Sequence, residues 1–297
     1  MKYFLWINVL IAGIAGATQT VTVSPTQEFI SVFVLPGEQV GVKSEKDSGA
    51  VLSSETGTLK QTKTNLWTWS SPSKKGTYSL QLTWPTKEKT TVQVFVMVPF
   101  SKIKNGYLNG YRIGTYPKHR KYPKPRGFVE VKKENLKTKV SNSFRIDQFL
   151  CKQSGGFPKY LVLDPKLLIK LEAMLEIAKA QGYDWSSFHI MSGYRTPHYN
   201  RLIKNVKYSR HQYGQAADIF VDNSPYNTWM DDINKDGKIS VEDAFIIYSL
   251  AEQVTHILPH LKGGLGLYKT KKHRGPFLHV DARGYRARWG VPFAASE

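Results

Sequence analysis

Cysteine is all but missing: the 297 residues contain one, Cys151. A lone thiol excludes an intramolecular disulfide, a multi-cysteine zinc site and a cysteine-ligated iron–sulfur cluster. Any metal bound here must be held by imidazole and carboxylate. Acid is scarce too, with 23 Asp and Glu against 42 Lys and Arg, a formal charge of +19. That balance points to anionic partners: nucleic acid, anionic lipid or an acidic cell-wall polymer. Long apolar runs are absent. The longest, Tyr3–Ile14, is broken by Asn8 and Gly13 and falls short of the ~20 residues a bilayer span needs. Internal repeats and low-complexity tracts are also lacking. No Gly-x-Ser-x-Gly elbow surrounds Ser192, which excludes it as that type of hydrolase nucleophile.

What is present is a globular composition, 41% hydrophobic and 22% charged, in a chain longer than one ~150-residue domain. Lys2, the apolar run and then Ala15-Gly16-Ala17 follow the order of a secretory signal peptide, expected over residues 1–17. Export would put the mature chain in a secreted, periplasmic or cell-wall-associated location of a bacterium. There nucleic acid is a disfavoured partner, and the positive charge suits a wall or membrane surface.

Residues 18–98 read as strands. Val21–Val23, Phe29–Val34, Gln39–Val42, Tyr78–Trp84 and Thr91–Val96 alternate or are β-branched, with turn signals at Pro36-Gly37, 47–49 and 72–76. This spacing predicts a small all-β sandwich. Leu66-Trp67-Thr68-Trp69-Ser70-Ser71-Pro72 with Gly76-Thr77-Tyr78 resembles bacterial immunoglobulin-like modules, which serve either to bind the wall or as spacers. Residues 99–130, with Gly106, Gly110, Gly114 and the Lys118–Arg126 cluster, read as a basic, turn-rich connector. The run is either a solvated face or a holder of polymer phosphates and carboxylates. Residues 131–297 are mixed. Asp164-Pro165 starts a helix whose stripe is Leu167, Leu168, Leu171, Met174, Leu175 and Ala178, closed by Gly182. A second helix is predicted from Val241 to about Ile257.

Chemistry concentrates in Ser209-Arg210-His211-Gln212-Tyr213-Gly214-Gln215-Ala216-Ala217-Asp218 and, far downstream, in Phe277-Leu278-His279-Val280-Asp281. Two imidazoles and one carboxylate leave a tetrahedral Zn²⁺ one open position, the arrangement of a catalytic site. Together with Ser192-Gly193-Tyr194-Arg195-Thr196-Pro197 and Gly263–Tyr268, these motifs resemble the D-alanyl-D-alanine carboxypeptidase-like zinc peptidases of peptidoglycan. The resemblance spans roughly residues 100 to 297. It implies an α+β domain with a central antiparallel sheet and a zinc held by His211, Asp218 and His279. It further implies that Arg195 grips a substrate carboxylate or carbonyl, and that the substrate is an amide of peptidoglycan stem peptides or cross-links. The alternative is a zinc-containing wall-binding protein without turnover.

One departure from that family bears on mechanism. Many relatives carry an acid three positions, and a histidine two positions, before the last ligand; here these are Pro276 and Phe277. Asp281 and His273 are the nearest candidates in sequence for proton transfer. Asp281 is equally read as a partner that fixes an imidazole, and His273 as an exposed loop residue.

Between the zinc motifs, residues 232–243 resemble the calcium loop of EF-hands and dockerins. Asp232, Asn234 and Asp236 would ligate through side chains, Lys238 through its carbonyl, and Asp243 from position twelve, with Gly237 at position six. The other reading is an acidic turn that caps the following helix.

Overall fold

The computed structural model describes residues 18–45, 49–223 and 226–291; the expected signal peptide lies outside them. Eight strands come first: β1 (Gln19–Val23), β2 (Phe29–Val34), β3 (Gln39–Ser44), β4 (Val51–Ser54), β5 (Thr58–Lys63), β6 (Leu66–Ser70), β7 (Gly76–Thr83) and β8 (Lys89–Val96). They form two four-stranded sheets, ordered β1-β3-β6-β5 and β2-β8-β7-β4. One apolar core lies between them, where Val21, Val42, Trp67 and Trp69 meet Val32, Leu80, Val92 and Val94. Most strands are antiparallel, but β1 pairs with β3 and β2 with β8 in parallel. β4 and β5 have no counterpart in the sequence reading. Almost every residue of β5 is exposed, so burial imposes no alternation on its sequence.

This β-rich unit is packed on the rest of the chain. Phe33 and Phe95, stacked at 5.1 Å, join Met97, Val98 and Phe128 in the second core. The Ser31 hydroxyl donates to the Val140 carbonyl at 2.6 Å.

The stretch expected as a connector is instead part of that second core. β9 (Val98–Pro99) pairs with β12 (Gly127–Val131), and between them β10 (Tyr107–Leu108) and β11 (Tyr111–Arg112) form a short hairpin. Leu108, Tyr111, Ile113, Tyr116 and Phe128 are all buried. Their apolar side chains are interleaved with glycines and lysines, which hides them from a composition-based reading. β13 (Lys159–Leu161) completes this small sheet.

Helix α1 (Pro165–Ala180) starts where expected: the Asp164 carboxylate accepts from the Lys166 amide, and the whole predicted stripe is buried. β14 (His189–Ser192), α2 (Pro197–Leu202), β15 (Ala216–Phe220), α3 (Val241–Ile257), β16 (Gly264–Tyr268), β17 (Phe277–Asp281) and β18 (Ala287–Gly290) follow. The five strands form one sheet, β14-β15-β17-β16-β18, antiparallel except for β18 on β16. Because side chains alternate across a strand, Ala217, Ile219, Leu265, Leu267, Leu278 and Val280 share one face and enter the core, against which α3 packs. Asp218 and His279 take the other face. No helix among the described residues is long and apolar enough to cross a membrane.

Candidate metal centre

One row of the sheet builds the site. Ser192, Asp218, His279, Gly266 and Trp289 lie side by side across the five strands. Gly266 is required: a Cβ there would sit 2.3 Å from the Trp289 indole nitrogen. Its absence lets the indole lie over the strand, 5.0 Å from the His279 ring, with its N–H donating to the Tyr268 hydroxyl.

His211 arrives from outside the sheet, on a 3-10 turn spanning Arg210–Tyr213. Gly214 ends that turn at φ +66°, and a Cβ on it would meet the Val162 carbonyl oxygen at 2.3 Å. Only glycine combines that backbone with that approach, so the spacing from His211 to Asp218 depends on it.

His211, Asp218 and His279 are buried, and they are the one group of three or more His, Cys, Asp or Glu that could hold a metal ion among the described residues. His211 Nε2 lies 3.2 Å from His279 Nδ1 and 3.3 Å from Asp218 Oδ1, and His279 Nδ1 lies 2.9 Å from the same oxygen. In a tetrahedron with bonds of 2.0–2.1 Å the edges are about 3.3–3.4 Å. The three atoms thus form nearly one face of such a figure, and the donor set of two imidazoles and a carboxylate suits zinc.

The atoms that do not converge are held from behind. His211 Nδ1 lies 2.7 Å from the Gly193 carbonyl oxygen, and His279 Nε2 lies 3.3 Å from Asp281 Oδ2. Both partners are acceptors, so each fixes a tautomer whose lone pair faces the centre. Asp218 Oδ2 accepts from Arg195 Nη2 at 2.5 Å, and Arg195 Nε donates to the Ser192 hydroxyl. Arg195 therefore steadies the carboxylate and lines the same cavity.

Electrostatics follow from burial and pairing. Burial opposes charge on Asp218, but His211 and His279 outweigh it and hold the carboxyl well below the usual range. Burial pushes the His211 imidazole down despite Asp218. For His279 burial is outweighed by Asp218 and Asp281, which raise it.

A cavity of about 630 Å³ opens above the triad, walled by Met191, Tyr208, Tyr268, Phe277 and Trp289. Four arginines line it: Arg195, Arg210, Arg274 and Arg283.

Neither sequence candidate for the base reaches this cavity. Asp281 is fully buried behind His279, accepting from the Gly264 and Arg283 amides and paired with the Arg283 guanidinium. His273 is exposed on the turn between Lys271 and Arg274. Phe277 stacks on Tyr268 at 4.5 Å and forms an apolar wall of the cavity. The sequence reading missed Arg210, Arg274, Arg283 and the Gly193 carbonyl. The sheet register and the packing of the Arg210–Tyr213 turn against it, which a sequence does not display, bring them to one place.

The 232–243 loop is arranged differently. Asp232 accepts from the Asp236 and Gly237 amides, Asn234 from Asp236, and Asp236 from Lys238. Asp243 is fully buried. One of its oxygens accepts from the Ile233 and Asn234 amides and the other from Ser240. Expected as a ligand, Asp243 here accepts from the Ser240 amide at the start of α3, as a cap does, and ties the Ile233 and Asn234 amides of the loop to the helix. Asp232, Asp236 and Asp243 do not gather into a three-carboxylate cage.

A family model described as Peptidase M15, a family of zinc peptidases, matches residues 142–256. The matched span takes in Arg195, His211 and Asp218 and stops short of His279. No curated protein matches the chain.

Proposed function

We propose that this chain is an exported zinc peptidase that hydrolyses amide bonds in peptidoglycan stem peptides or cross-links, as a carboxypeptidase or an endopeptidase. The observation that carries this reading is the buried triangle of His211 Nε2, Asp218 Oδ1 and His279 Nδ1, with edges of 2.9–3.3 Å. A zinc ion held there supplies Lewis acidity, polarising a carbonyl oxygen and making water more acidic. The residues around it divide the remaining work. Gly193 and Asp281 hold the two imidazoles in the tautomers that bind metal. Arg195 anchors Asp218 through Nη2 and the Ser192 hydroxyl through Nε, and its Nη1 is left to donate to a substrate carbonyl or carboxylate. Phe277, Tyr268 and Trp289 shield the reacting atoms from bulk water.

His211→Ala is expected to abolish the loss of terminal residues or cross-links from purified sacculi, measured by mass analysis of their muropeptides before and after treatment. Chelation followed by zinc restoration should stop and restart that cleavage in the unmutated protein. Cleavage by metal-free protein would contradict the reading.

A second reading, a wall-binding protein that holds zinc without turnover, is favoured by one observation. Apart from the triad, no carboxylate or imidazole is among the residues lining the cavity. Sacculi that sediment with the zinc-loaded protein but stay intact would establish it.

The finer parts of the proposal rest on sequence pattern. The signal-like start supports export, and the twelve-residue pattern at 232–243 supports a calcium ion on Asp232, Asn234, Asp236 and the Lys238 carbonyl. Calorimetric titration of the zinc-loaded protein with calcium tests the latter; an absent heat would remove it.

A further inference from the structure

The cavity above the triad contains more positive charge than its own carboxylates neutralise. Arg195 is paired with Asp218 and Arg283 with Asp281, each at 2.5 Å. Arg210 and Arg274 have no carboxylate within 4.0 Å among the described residues.

The two lie toward opposite ends of β17, on either side of His279. Arg274 sits over Phe277 and Tyr268, its Cζ 4.5 and 5.6 Å from their ring centroids. These residues face each other across β16 and β17, two positions before His279. The N–H groups of Arg274 donate to backbone carbonyls, that of Lys269 at 3.1 Å and that of Gly275 at 3.5 Å. Arg210 lies toward the other end. Its Cζ is 4.3 Å from the Tyr122 ring centroid and 5.8 Å from that of Tyr285. Its Nη1 donates to Gln215, whose backbone carbonyl accepts from Ala282, three positions beyond His279, and its Nη2 donates to the Tyr285 hydroxyl at 3.4 Å. Arg210 is 8% exposed, and its buried Nε has no hydrogen-bond partner.

For the buried Arg210, a guanidinium removed from water without an anion is unfavourable until a carboxylate arrives, and the half-buried Arg274 shares this in part. Packing its flat face on an aromatic ring leaves the N–H edge, the part that grips a carboxylate with two parallel bonds, directed elsewhere. We infer that the site takes a peptide bearing a carboxylate on each side of the bond at the triad, one received by Arg274 and the other by Arg210. This rests on the peptidase reading above and narrows its substrate to a doubly acidic peptide.

The probe is L-Ala-γ-D-Glu-L-Lys-D-Ala-D-Ala, which carries the D-glutamate α-carboxylate and the terminal carboxylate. It is prepared in four forms: both acids free, either one amidated, and both amidated. Affinity is read as KM from initial rates where the peptide is cleaved and as a calorimetric dissociation constant where it is not, for the zinc-loaded full chain and for Arg274→Gln and Arg210→Gln, with zinc content checked in each.

Amidating either carboxylate should weaken binding to the unmutated protein by about tenfold or more, the scale of a lost charge-assisted pair. Arg274→Gln should bind the di-acid about tenfold more weakly and become indifferent to amidation at one carboxylate. Arg210→Gln should become indifferent at the other. Arg274→Lys, retaining charge without the fork, should restore part of the loss.

Variants that still distinguish all four peptides as the unmutated protein does would overturn the inference, as would equal binding of all four. Parallel mass analysis of cleavage separates the two claims. Coupled binding without cleavage removes the peptidase reading and leaves the two-carboxylate site standing; cleavage without coupling does the reverse.

Discussion

Two stretches of the second unit look like metal sites in the sequence, and the fold treats them in opposite ways. His211, Asp218 and His279 come from a turn and two strands, and their ligand atoms meet within 3.3 Å. Residues 232–243 carry their donors within one loop, and those side chains turn to the loop's own amides. The difference is one of available partners. A carboxylate two to five residues from free N–H groups can satisfy itself locally. Asp218 and His279, on central strands, cannot, since the backbone groups beside them are in the ladder, and His211 meets a backbone carbonyl only with the ring nitrogen that faces away from the centre. Asp218, His211 and His279 are left facing one another, so an ion has more to contribute there than in the loop.

Breaking the first site should therefore cost metal, and breaking the second should cost fold. Asp218→Asn is expected to weaken zinc binding by more than ~100-fold, beyond what loss of an outer partner does, read by competition with a chromogenic chelator. Retained affinity would move the metal elsewhere.

The charge behind the triad has its own signature. Lys170 is buried against the Asp281 carbonyl at 3.1 Å. Burial pushes its amine down from 10.5 to about 8, against the pull of Asp281. The unfolded chain then binds a proton that the folded chain has released between pH 8 and 10.5. Unfolding free energy should rise across that window by up to about 3 kcal/mol, while below pH 8 the full cost of burying the charge applies. Lys170→Met should flatten this rise in denaturant titrations; an unchanged slope would contradict it.

Asp243→Ala strands three backbone amides, that of Ser240 at the entry to α3 and those of Ile233 and Asn234 in the loop before it. It should lower stability by about 2 kcal/mol and leave zinc affinity intact. A loss of zinc without loss of stability would reverse the roles given to the two loops. Asp281→Asn should lower zinc affinity by about 10–100-fold, an effect of about the same size.

Legibility in the sequence tracked the range of the interactions involved. The strands from Phe29 to Val34 and Lys89 to Val96 and the helices α1 and α3 were readable because one buried face imposes a period on them. β5 was not, having no buried face, and residues 99–130 were mistaken for a connector because tight glycine turns separate their core aromatics. At the site, His211, Asp218, His279 and Arg195 were readable from residue type and spacing, with the family resemblance behind them. Asp281 had two readings, and only the 3.3 Å contact with His279 chooses between them. Arg274 looked like one charge of a lysine-rich turn. Its place over Phe277 follows from the pairing of β16 with β17, which no local pattern records.

The most direct test of the triad is zinc-edge X-ray absorption on protein loaded with one equivalent of zinc, alongside His279→Ala. Two imidazoles and a carboxylate oxygen at about 2.0–2.1 Å, with one imidazole missing from the variant or the metal lost from it, is the predicted result. A coordination shell identical in both proteins would contradict it.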